Sequence, residues 1–239
     1  MKNIALTLAS LLALVVHAPH AGAQASCSSD GTAQPVALFE RFISADCETC
    51  WGDAATPAPS ATAGAVVLDW IVPGKTAEDA PLSAAATNDA LVRLRSLGRS
   101  TPSTTDVHIA AVDALSPSRL RVALGLPFND YLGTAIAFAP SRPAQKQNTT
   151  QGHWRFHLLL VETVPAGTDG TSVPRQLVRN MLESEWHPKD KQAPGKPFPW
   201  VETRSMRIAE GAQAERLSLV GWVQDASGRI VAAAQSICR

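Results

Sequence analysis

Pro35-Val36-Ala37-Leu38-Phe39-Glu40-Arg41-Phe42, followed by Cys47-Glu48-Thr49-Cys50-Trp51-Gly52, decides how the chain begins to fold. The first part is a short apolar run with strand character. The second can open a helix before Pro57 and Pro59 break it. Strand, Cys-x-x-Cys, helix start is the context in which this spacing becomes a redox motif. Two intervening residues at a helix N-terminus bring the sulfurs within disulfide reach, and the helix dipole favours the first thiolate.

Upstream of that stretch, residues 1–23 have the pattern of an export signal. Lys2 gives the positive start, Ile4 to Val16 is an apolar segment too short to span a bilayer, and Ala21-Gly22-Ala23 offers a small-x-small cleavage site. Cys27 makes a poor lipoprotein site, because Gln24 stands where a lipobox wants Leu. No transmembrane segment is expected once the signal is removed. The 239 residues carry 21 basic and 21 acidic side chains, and loss of Lys2 leaves 20 against 21. Such a balance argues against nucleic acid as a partner. All four cysteines, Cys27, Cys47, Cys50 and Cys238, lie in the exported part, where an even count suggests two disulfides. Adjacency pairs Cys47 with Cys50. That leaves Cys27 and Cys238 as a structural disulfide, stabilising by on the order of 4 kcal/mol through loop closure.

Downstream, residues 24–33 read as a polar leader and 34–115 as a first, α/β domain. Ala65 to Val72 is an almost continuous apolar run of strand length. Leu91, Leu94 and Leu97 recur at helical spacing within 84–97, with Gly98 placed at the C-cap. Thr101-Pro102 and a strand over 106–112 follow. From 116 to 239 the period changes to two, as in Leu120, Val122, Leu124 and Leu126. Further strands are expected at 132–139, 154–161, 201–208, 217–224 and 229–237, with Asp225-Ala226-Ser227-Gly228 as a hairpin turn. A β-sandwich-like antiparallel domain is implied. Val36, Leu38, Val67, Leu68, Ile109 and Val112 should build the first core, and Leu120, Leu124, Leu158, Leu160, Leu219 and Ile230 the second.

Strand, Cys-x-x-Cys, strand, helix, Thr-Pro, strand is similar to the order of a thioredoxin-like domain, here an abbreviated one. Pro35 to Glu40 with Cys47 and Cys50, Val66-Val67-Leu68-Asp69-Trp70, Thr101-Pro102 and the Gly167 to Leu182 segment together resemble the DUF1223 family of secreted thioredoxin-like proteins. More distantly, they resemble Omp28-like outer-membrane proteins. The resemblance implies an exported protein with a periplasmic or secreted location. It makes Cys47 and Cys50 the catalytic pair, with Thr101 and Pro102 as a substrate-binding wall; Pro102 stands where that fold keeps its cis-proline opposite the sulfurs, the other reading being an ordinary turn proline. The family usually follows its second cysteine with prolines and an acidic residue, whereas Trp51-Gly52-Asp53 stands here.

Two functional classes stay open. In one, Cys47 attacks and Cys50 resolves in thiol–disulfide exchange with cysteine-bearing exported polypeptides. In the other, the pair is a permanent disulfide in a non-enzymatic envelope-associated binding or scaffold protein. Glu48 favours the second, since a neighbouring carboxylate disfavours the thiolate and no cation follows immediately after the pair to offset it. His153 and His157 share a strand face, but no third ligand of suitable spacing appears, so they read as solvated strand histidines and no metal is expected. Trp154, Trp200 and Trp222 read as packing residues. There is no Gly-x-Ser-x-Gly elbow, phosphate loop or dinucleotide fingerprint, hence no cofactor is expected.

Overall fold

The computed structural model describes residues 27–54, 58, 64–113, 118–141 and 153–238, so the expected signal peptide lies outside the described residues. Of the described residues 50% are strand and 14% helix, which makes this a mixed but mostly β protein with two sheets. The described elements are β1 (Cys27–Ser28), β2 (Ala37–Ser44), α1 (Glu48–Gly52), β3 (Ala65–Val72), α2 (Asn88–Ser96), β4 (Thr105–Ala111), β5 (Arg119–Phe128), β6 (Tyr131–Ala139), β7 (Trp154–Val164), β8 (Arg175–Trp186), β9 (Trp200–Arg207), β10 (Leu217–Gln224), β11 (Ile230–Gln235) and β12 (Ile237–Cys238).

One sheet has five strands in the order β12-β1-β5-β6-β9, and the other has seven, in the order β11-β10-β7-β8-β3-β2-β4. In the second, β2 runs parallel to β3 and antiparallel to β4. The α/β strands join the β-rich ones where Asp69 of β3 pairs with Leu177 of β8. The expected boundary at 115/116 falls within 114–117, outside the described residues, and strands from both sides of it share this one sheet. The sheet also curls. Its opposite edges touch where Val112 bridges Ile230 and the Asp113 N–H donates to the Ile230 carbonyl.

Inside the curl, Leu38, Leu68, Trp70, Val178 and Trp222 pack with Ala90 and Leu94 of α2. On the opposite face of β7, β10 and β11 the five-stranded sheet closes down, with Val122, Ile136, Phe138, Trp154, Phe156 and Leu219 in its core. Gly221 is required at that contact, because a Cβ there would lie 2.8 Å from Val122 Cγ1. A third cluster, around Ile43, Trp51, Ile71 and Leu177, packs under α1.

The expected second core is buried throughout, and Leu38, Leu68 and Val112 are buried in the first. Val36 and Ile109 are instead 51% and 63% exposed, and Val67 is half-buried. The cause is position. Ile109 lies on β4, the edge strand, paired opposite Phe39 and so on the face away from α2. The helix predicted over 84–97 forms over 88–96. The Thr87 hydroxyl accepts from the Ala90 N–H at its start, and a Gly98 left-handed turn (φ 65°) ends it, the Arg99 N–H donating to the Leu94 carbonyl.

Candidate functional site

Chain direction places the cysteines. β2 and β3 are parallel, and the Ala45 N–H donates to the Val72 carbonyl just past their ends. The chain then turns, Cys47 N–H to Ser44 carbonyl, and enters α1 with Cys47 at the N-cap. Cys47 and Cys50 form a disulfide with their Cα atoms 5.3 Å apart, both side chains half-buried. The pair therefore sits at the carboxyl end of parallel strands, where open α/β sheets place their binding crevices. Glu48 is exposed beside it, and Thr49 Oγ1 lies 3.6 Å from Cys47 Sγ. The second expected disulfide, Cys27–Cys238, joins β1 to β12, where the two residues are register partners.

A cation that the local sequence does not reveal stands behind α1. Arg175, buried at the start of β8, donates from Nη2 to the carbonyls of Cys50 (3.2 Å), Trp51 (2.8 Å) and Asp53 (2.5 Å). These are carbonyls that a helix end leaves without intrahelical partners. Its guanidinium also lies over the Trp51 ring at 5.5 Å, and Trp51 Nε1 donates to the Asp169 carbonyl. Asp69 is 3.7 Å from Arg175 and 3.3 Å from Arg41, and accepts from the Gln176 N–H. Burial pushes the Asp69 carboxyl up to about 6, against the pull of Arg41 and Gln176. The Arg175 guanidinium puts positive charge against the Cys50 backbone, where the exposed Glu48 side chain puts none.

Thr101 and Pro102 line a cleft of about 520 Å³ with Ser44, Asp46, Pro73 and Lys75. The cleft begins at the residue before Cys47. Asp46 shapes it, accepting from the Lys75 N–H (2.6 Å), the Thr76 N–H (3.3 Å) and the Thr76 hydroxyl (2.5 Å), and these bonds hold its carboxyl below the usual range. Gly74 is needed there, since a Cβ would collide with the Asp46 carboxylate. Of the two readings of Pro102, the turn proline is the one found: no peptide bond among the described residues is cis, so Thr101–Pro102 is trans.

The histidines depart from expectation. His157 is 1% exposed, stacked on Trp222 at 4.5 Å with Nε2 3.0 Å from Gln224 Oε1. Burial pushes its pKa down to about 3, so it is a neutral core group and not a solvated one. His153 meets Glu185 and His187, partners that strand pairing supplies and that spacing along β7 alone cannot show. Trp154, Trp200 and Trp222 are all core residues, as expected. No described helix is long and apolar enough to cross a membrane. No family model, curated protein or solved structure matches the chain.

Proposed function

We propose that this is an exported thiol–disulfide exchange protein in which β2, α1, β3, α2 and β4 form an abbreviated thioredoxin-like unit related to the DUF1223 family, with residues 116–239 as its β-rich partner. One observation carries the reading. The Cys47–Cys50 disulfide is half-buried at the start of α1, at the carboxyl end of two parallel strands, beside a cleft lined by Asp46, Thr101 and Pro102. Two disulfides with no free cysteine among the described residues support an oxidising compartment, periplasmic or secreted.

The exchange uses only these sulfurs and a client. A client thiolate attacks Cys47 Sγ, the Cys47–Cys50 bond breaks, and Cys50 leaves as a thiolate that takes up a proton. The client's second thiolate then attacks its own sulfur in the mixed disulfide and releases Cys47. Two electrons pass from client dithiol to the protein pair; the reverse sequence reduces a client disulfide. Arg175, bound to the Cys50 carbonyl, favours the thiolate forms electrostatically.

The rival reading is a locked structural disulfide in a binding or scaffold protein. It rests on the trans Thr101–Pro102 bond and on the three-carbonyl clamp that fixes α1. Cys50→Ser separates the two. Exchange predicts that Cys47 of this variant is trapped in mixed disulfides with exported polypeptides, while Cys47→Ser traps none. Absence of such adducts, with a pair potential below about −300 mV, would leave the scaffold reading.

A further inference from the structure

In the middle of the seven-stranded sheet, β7 and β8 pair with Trp154 opposite Trp186 and Arg155 opposite Glu185. Side chains alternate across a strand, so the two tryptophans turn into the core while the odd-numbered residues share the other face. That alternation brings together His153, just ahead of β7, with Glu185 and His187 at the end of β8. Their ligand atoms all lie within 4.8 Å of one another, and the two imidazoles stand perpendicular with ring centroids 4.4 Å apart.

We infer that His153, Glu185 and His187 form a binding site for a divalent transition metal of the zinc class. The donor set is two imidazoles and one carboxylate. Zinc takes such ligands at about 2.0–2.2 Å, so its donors sit about 3.3 Å apart in a tetrahedron. Closing from 4.8 Å to that spacing takes small rotations of side chains that are half-buried or exposed. Imidazole with carboxylate selects zinc, copper or nickel over magnesium or calcium, which prefer all-oxygen sets.

The surroundings fit a metal centre. Arg155 donates to Glu185 Oε1 from both Nη2 (2.8 Å) and Nε (3.2 Å), so that pair does not use the second carboxylate oxygen. Arg155 also lies 3.6 Å from Glu183, and a guanidinium shared by two carboxylates adds little net positive charge beside an incoming ion. The His187 N–H donates to Asp190, which fixes the backbone that carries the third ligand. Orientation of metal ligands by such neighbours is the common pattern. Three protein ligands leave one coordination position, and a cavity of about 170 Å³ opens beside His153 and Glu185 toward Gln224 and Asp225. A water or a small anionic ligand fits that position.

The site stands apart from the cysteine pair and does not depend on its redox activity. The test is calorimetric titration of the untagged, oxidised mature chain with Zn²⁺ alone at neutral pH. One site per chain is expected, weakened roughly tenfold or more in His153→Ala, His187→Ala and Glu185→Gln. With the signal removed the chain holds four histidines, 108, 153, 157 and 187. In the wild type, Zn²⁺ should therefore move the imidazole NMR signals of His153 and His187 and leave those of buried His157 in place. No binding by the wild type, binding that survives both alanine variants, or imidazole shifts confined to His108 would each overturn the site. The NMR arm decides the matter even where a variant fails to fold.

Discussion

His157 shows how far one side chain can be taken from its solution behaviour. Stacked on Trp222 and bonded to Gln224, it stays neutral in the native state until about pH 3, whereas the unfolded chain protonates it near 6.5. Between those values the unfolded state binds more protons, so native stability falls as pH drops through this window. Asp69 acts with the opposite sign. Its carboxyl, raised to about 6, contributes stability at low pH that is lost as pH rises through 6. A comparison of wild type with His157→Phe at the same two pH values cancels the Asp69 part. From pH 7 to 4.5 the wild type should lose about 2.5 kcal/mol more than the variant, read by urea unfolding. Equal losses would mean that His157 is protonated in the native state.

At the scale of elements, α1 is too short to hold itself and depends on β8. Arg175→Met removes three bonds to its last carbonyls and leaves Asp69 with Arg41 and the Gln176 N–H. Breaking a buried pair from one side costs about 3–5 kcal/mol. Denaturant unfolding of the oxidised protein should show that loss. None of this is legible near the cysteines, since Arg175 lies 125 residues from Cys50. The strands were easier to find. Ala65–Val72 matches its apolar run residue for residue, and β5, β6, β10 and β11 fall close to the strands expected around 120–126, 132–139, 217–224 and 229–237. β8 is the exception, seen only through a family resemblance. At Val161 and Leu160 its register skips from Val178 to Asn180, leaving Arg179 as a bulge that pairs with Glu162. A bulge swaps the faces of a strand midway, and the period-two signal is lost with it.

For the whole molecule, the question is what keeps a sheet of mixed parentage closed. The Cys27–Cys238 link spans 211 residues and ties the edge strand β12 of the five-stranded sheet to its neighbour β1. A loop of that length contributes about 5 kcal/mol in the chain-entropy model. Cys27→Ala with Cys238→Ala should lower unfolding stability by about 2–5 kcal/mol, measured with the Cys47–Cys50 bond kept intact. An unchanged midpoint would show that β-pairing alone holds that edge. The pairing itself was readable from cysteine count and adjacency. The curl that brings Val112 to Ile230 was not, because each contact in it joins segments more than a hundred residues apart.

The clasp between Cys27 and Cys238 also sets an order of events. During synthesis, Cys27 emerges first, its rightful mate last, and two tempting wrong mates only twenty-odd residues after it. An oxidase joining thiols in order of appearance would weld Cys27 to Cys47. Correct maturation therefore needs either early closure of the Cys47–Cys50 ring, which hides both decoys, or a shuffling helper to undo the mistake.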